Sequence, residues 1–271
     1  MEFCSVTKKK RKNGMLCAEL YRLFTGKRLA IGIVLVSVIA IFSVSDSFSI
    51  ESIHFKTELK QSICDQLQMS LVFDRYKSLY VIAASICTVT MFPVDSKNHV
   101  LPYIRQRIDF SGMINARLVS MAAYIVTVMM IGFLLAGIFL LPFMTIETRG
   151  SVRYGIFQPI MDGKLAWSYL ILLSLNLSMS IIPVCYLAAA VAIIKPDAYV
   201  AVGAGFFIFY FWFYCTNSLP WIFSYSTLSS DPGRDSVGEF IYHIVFFSIC
   251  SLAAGKIVKM VMKKRLLSGM D

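Results

Sequence analysis

The stretch LAWSYLILLSLNLSMSIIPVCYLAAAVAII, residues 165–194, is followed after Lys195-Pro196-Asp197 by AYVAVGAGFFIFYFWFYCTNSL, residues 198–219, and neither contains a charged side chain. A helix needs roughly 17–25 apolar residues to cross the hydrocarbon of a bilayer, and both runs meet that length. Three intervening residues allow only a tight turn, so the two segments must be antiparallel neighbours. The first run is long for a perpendicular crossing, which predicts a tilt or a bend. Pro183 inside it supplies a cause, because proline removes one backbone donor and crowds the preceding turn.

Working outward, four further apolar runs share this character: about 29–48, 78–94, 118–143 and 240–262. The chain of 271 residues is 57% hydrophobic and 15% charged, with a mean hydropathy of +0.69. A soluble domain carries roughly 25% charged residues, so this composition is matched to lipid rather than to water. The expected fold is an all-α polytopic integral membrane protein with six transmembrane helices. The run 29–48 begins too deep in the chain and runs too long for the apolar part of a cleaved signal, and no A-x-A-like site follows it, so it reads as a retained span.

Before the first span, residues 1–28 are basic. Lys8, Lys9, Lys10, Arg11 and Lys12 form a run that beside an apolar segment reads as a membrane charge anchor, not as a nucleic-acid contact. Leu16, Leu20, Leu23 and Phe24 then recur at helical spacing, with Glu19, Arg22 and Lys27 off that face. This pattern predicts a short amphipathic helix lying along the headgroups.

Lysine and arginine set the orientation. With the N-terminus inside, 18 of the 26 fall on the cytoplasmic side: eight in residues 1–28, four between spans two and three, Lys195, and five at and after the end of the last span. Both termini are therefore expected in the cytoplasm, with residues 263–271 as a short basic tail.

Motifs for chemistry are sparse. A phosphate-cradling loop needs G-x-x-x-x-G-K-[ST], and Gly26-Lys27-Arg28 lacks both the first glycine and the hydroxyl. His54, His99 and His243 stand apart, so no H-E-x-x-H pair exists, nor a serine with a histidine partner in a G-x-S-x-G setting. No predicted span carries two carboxylates for a divalent metal, and the seven cysteines are scattered without a C-x-x-C pair. Charges within the apolar runs lie only towards ends, at Asp46, Lys256 and Lys259, which argues against a proton or sodium relay. No cofactor is expected on this chain. Two features invite a transport reading beside a packing one. Ser174, Asn176, Ser178 and Ser180 are a polar seam suited either to helix–helix hydrogen bonds or to a substrate path. The aromatic block 206–214, including Phe207 and Tyr210, is either a lipid-facing belt or the wall of such a path.

Three stretches carry a likeness: Ala18-Glu19-Leu20-Tyr21-Arg22-Leu23-Phe24, running through Gly26-Lys27-Arg28 into the first span, then Tyr103-Ile104-Arg105-Gln106-Arg107-Ile108-Asp109, and then Asn115-Ala116-Arg117. With these, the layout resembles the permease subunits of type-2 ABC exporters, the ABC-2 family. Members of the family carry an amphipathic elbow helix at the first stretch and often have lysine where Arg117 stands. The loop 217–239, with Pro220, Trp221 and Pro232, is similar to loops that hold short re-entrant helices. The resemblance implies an elbow helix in residues 1–28 and a coupling helix between spans two and three that docks on an ATPase. Glu19, Arg22, Asp95, Ile104, Arg105, Arg107 and Asp109 would be the coupling residues, and Ser174, Asn176, Ser178, Phe207 and Tyr210 would line the path. It also implies ATP on a separate ABC ATPase subunit, a second permease copy or a sister permease, and contact with membrane lipid. A bacterial cell membrane, an amphipathic cargo such as a bacteriocin-like peptide or a drug, and no enzymatic activity of its own follow from the same likeness. The competing readings are a polytopic membrane enzyme drawing on Asp46, Glu51, His54 or the loop Asp231–Glu239, and an ATP-independent channel-like subunit.

Overall fold

The computed structural model describes residues 14–47, 62–72, 74–97, 110–146, 166–220, 223–230 and 237–268. Helix α1 covers residues 14–24, and α2 (Lys27–Ser47), α3 (Ile63–Val72), α4 (Asp74–Thr88), α5 (Met91–Lys97), α6 (Phe110–Leu140), α7 (Ala166–Ile194), α8 (Ala198–Asn217), α9 (Tyr225–Ser230) and α10 (Val237–Ser268) follow. Among the described residues there is no strand, only an isolated bridge between Ser62 and Thr145. Six stretches are long and apolar enough to cross a bilayer: α2, the tandem α4–α5, α6, α7, α8 and α10. The chain is an all-α, multi-pass membrane protein.

Each of the six predicted runs falls on one of these helices. The Lys195-Pro196-Asp197 turn is as tight as its length dictates. Asp197 caps α8 by accepting a hydrogen bond from the Tyr199 amide at 2.7 Å, satisfying a donor that a helix start leaves open. Helix α7, with Pro183 inside it, packs against α6, α8 and α10, while α2 lies against α4 and α6. Burial is uneven: 72% of the second apolar window and 78% of the fourth are buried, against 28%, 17% and 22% for the first, fifth and sixth.

Small residues sit where helices approach. Ala188 and Ala192 of α7 are wholly buried, Gly132 of α6 faces Val36 of α2, and Gly205 of α8 faces Ser85 of α4. Backbones that close together gain dispersion contacts, the main source of attraction between helices in lipid. The Tyr186 hydroxyl adds a polar tie, donating to the Leu118 carbonyl at 2.6 Å.

Three features depart from the hydropathy pattern. The second span is broken at Val89–Thr90, four residues before Pro93, whose ring would collide with the Val89 carbonyl in a continuous helix. Threonine hydroxyls bond carbonyls near the break, Thr88 to Ala84 and Thr90 to Ile86, both at 2.7 Å. The third helix starts at Phe110 instead of at the apolar boundary Leu118, so it carries Arg117 within its length. That corrects the expectation that the third span, read as 118–143, is free of charge. Finally, α3 occupies part of what reads as a loop, burying Ile63, Cys64, Leu67 and Leu71.

Candidate functional site

Helix α1 has the amphipathic character its spacing predicts. Leu23 is buried, and the Phe24 ring stands edge-on to Tyr124 of α6 with centroids 5.9 Å apart. The Tyr124 hydroxyl donates to the Arg28 carbonyl at 2.7 Å, fastening the start of α2 to the same helix. Gly26 joins α1 to α2 with a φ of 157°, where a side chain is disfavoured, and the Thr25 amide closes α1 by donating to the Tyr21 carbonyl.

Glu19 and Arg22 are three residues apart and share one side of α1. Asp95 lies on α5, beyond the break in span two, and Arg117 lies two turns into α6. These three helices bring the four side chains together. Arg22 forks onto Asp95, with Nη1 donating to Oδ2 at 2.9 Å and Nη2 to Oδ1 at 2.5 Å. Arg117 Nη2 reaches Asp95 Oδ2 at 2.5 Å and Glu19 Oε1 at 3.2 Å, and Arg117 Nε also points at Glu19 Oε1, at 3.4 Å. The Phe92 ring lies under the Arg117 guanidinium, 5.1 Å from its Cζ, an attractive cation–π arrangement.

Burial makes these contacts matter. The side chains of Asp95 and Arg117 are each 3% exposed, Glu19 15% and Arg22 38%. Two cations and two anions give a formally neutral cluster, the condition under which ionised groups tolerate low dielectric. The hydrogen bond to Asp95 raises the Arg22 guanidinium above its ordinary value, so it stays charged. Chemically this is a clamp: it has opposed charges and no nucleophile. Among the described residues no group of three or more His, Cys, Asp or Glu side chains could hold a metal ion.

Of the expected coupling residues, the structure joins Glu19, Arg22 and Asp95, while Ile104, Arg105, Arg107 and Asp109 lie outside the described residues. Arg117 is the member that the sequence reading did not place in a site. A signal for it exists. The end of one span and the start of the next lie at one level of the membrane, and opposite charges there, Asp95 and Arg117, can pair.

The expected path residues separate into two groups. Ser174, Asn176 and Ser178 are wholly buried. Ser174 bonds the Ile171 carbonyl, Ser178 bonds the Ser174 carbonyl, and Asn176 reaches across to α9. Phe207 of α8 is exposed, while Tyr210 is half-buried against the core, with its ring tilted against that of Phe206 at a centroid distance of 4.7 Å. Of the residues on which an enzyme would draw, Glu51, His54 and Asp231 lie outside the described residues, and Glu239 stands in the first turn of α10.

Comparison of the chain with protein-family models, with curated proteins and with solved structures finds no match.

Proposed function

We propose that this chain is the transmembrane permease subunit of an ABC-2 type transporter in a bacterial cell membrane, with both termini cytoplasmic. It forms one wall of a substrate pathway, paired with a second copy or a sister permease, and takes its energy from a separate ABC ATPase subunit. Its cargo is an amphipathic compound, such as a bacteriocin-like peptide or a drug, moved outward.

The observation that carries this reading is the clamp of Glu19, Arg22, Asp95 and Arg117. A permease without its own phosphate loop must receive force from another protein at its cytoplasmic end. Residues 98–109 connect α5 to α6, so a push there acts directly on the two helices that hold Asp95 and Arg117. Rigid helices transmit such displacements across a bilayer. Helix α1 is bound to both through the same charges, so elbow, second span and third span respond as one lever. Basic Arg105 and Arg107 in that connection suit an acidic ATPase surface.

Purification from the native membrane is expected to bring an ABC ATPase with the chain. Double substitution Arg105→Glu/Arg107→Glu is expected to leave the chain inserted while abolishing stimulation of ATP turnover by cargo. Normal stimulated turnover in that variant, or cargo flux without any ATPase, overturns the proposal.

A further inference from the structure

Helix α9 is six residues long, too short to hold itself together in isolation, because the open amides and carbonyls at the two ends of a helix account for nearly all of its backbone groups. Both ends are served by side chains from other helices. At its start, the Tyr225 amide donates to Thr216 Oγ1 of α8 at 3.1 Å. At its end, Asn176 Nδ2 of α7 donates to the Leu228 carbonyl at 3.0 Å and to the Ser229 carbonyl at 3.4 Å. The Tyr225 hydroxyl also donates to the Ser180 carbonyl of α7 at 3.2 Å, and its ring packs on Phe209, Trp212 and Phe247.

The geometry of α7 and α8 gives this arrangement a meaning. Both helices leave the 195–197 turn, and Asn176 and Thr216 each lie about 27 Å along their helix from it at 1.5 Å per residue. The turn fixes the spacing of the two helices at one end. At the level of Asn176 and Thr216, the bridge made by α9 is what spans them. If the far ends of α7 and α8 move apart, α9 loses either its Thr216 cap or its Asn176 and Ser180 bonds, and a six-residue helix is weakened by either loss.

We propose that α9 is a latch that closes the far end of the bundle, held by Asn176 and Thr216 and released when α7 and α8 splay. Its use as the outer gate of a transport path rests on the permease reading; the latch itself does not. Ser229 and Leu228 are wholly buried while the latch is closed.

The test uses the full chain in nanodiscs, where both faces meet solvent, with a Ser229→Cys reporter read by mass spectrometry after reaction with a hydrophilic maleimide. The reporter is expected to be protected in the otherwise native chain. Adding Asn176→Asp, which keeps the shape but removes the amide donor, is expected to raise its labelling rate at least about tenfold, the effect of losing two hydrogen bonds to buried carbonyls. Thr216→Val, nearly isosteric, is expected to raise it by a smaller factor, and it decides the matter if the Asn176 variant does not fold. A reporter that labels fast from the outset, or whose protection survives the substitutions, overturns the latch. Adding the ATPase separates the two ideas. Labelling that responds to Asn176→Asp but not to ATP turnover keeps the latch and rejects the gate.

Discussion

Asp95 and Arg117 meet at 2.5 Å with both side chains 97% removed from solvent, although one ends the second span and the other begins the third. Neither charge has an aqueous alternative, so each is stable only because of the other and of the Arg22 and Glu19 groups around them.

That interdependence has a measurable sign. Asp95→Asn leaves Arg117 buried beside Glu19 alone and is expected to destabilise the chain by about 3–5 kcal/mol, the cost of breaking a buried ion pair from one side. Replacing both, as Asp95→Leu/Arg117→Met, is expected to be milder than either single change. Thermal unfolding in a fixed detergent compares the three. A double variant worse than both singles contradicts the pairing.

Arg22 and Arg117 touch the same carboxylate, yet they differ in exposure. Arg22→Ala removes a guanidinium that is 38% exposed and is expected to cost about 1 kcal/mol or less. Arg117→Ala strips a wholly buried group from both Asp95 and Glu19, and is expected to cost several times more. Equal losses in the same assay count against this order.

Gly132 marks a close approach of α6 to α2. A Cβ there would lie 2.8 Å from Val36 Cβ and closer still to a Val36 methyl. Gly132→Ala is expected to destabilise by about 1–3 kcal/mol through overpacking. Val36→Ala on top of it is expected to restore most of that loss, although alone it opens a void. A double-mutant cycle reads the coupling.

Tyr186→Phe removes one buried hydroxyl and leaves the Leu118 carbonyl without that donor, at a cost expected near 1 kcal/mol. Because the ring remains, packing of α7 on α6 should survive, and cross-linking between these helices should be unchanged.

Hydropathy alone located the six spans because the lipid requirement is local: each segment must be apolar over its own length. The hairpin at Lys195-Pro196-Asp197 was legible for the same reason. The pairing within the clamp was not, although Glu19, Arg22 and Asp95 were singled out through the resemblance, because its members lie as far as 98 residues apart. Arg117 falls one residue before the run that begins at Leu118, although the helix begins two turns before it, since a paired arginine is as acceptable in a helix as leucine. The break at Val89–Thr90 was not read from the run 78–94, although Pro93 carries a signal for it, felt one turn upstream of itself. Helix α3 has too little hydrophobicity to be read as a span, and it is helical because α2 and α7 bury one side of it, with Ser70 bonded to Ser43 and the Tyr169 hydroxyl bonded to Gln68. Asn176 was visible as polar, but whether it served a path or a neighbour depended on where α9 folds.

The uneven burial of the spans divides the chain into parts that will tolerate change differently. On α2, Ile31, Val34, Val38 and Phe42 form an outward ridge, and on α8 Phe207, Phe211 and Tyr214 do the same. Where lipid covers such a ridge it accepts almost any apolar side chain, and the position is free to drift among leucine, valine, phenylalanine and isoleucine. Positions such as Tyr80, Leu173, Leu177 and Cys185, enclosed on the second and fourth spans, must fit fixed neighbours. A saturation-mutagenesis map should therefore show two intolerant columns wrapped in permissive ones, drawing the architecture from survival counts alone.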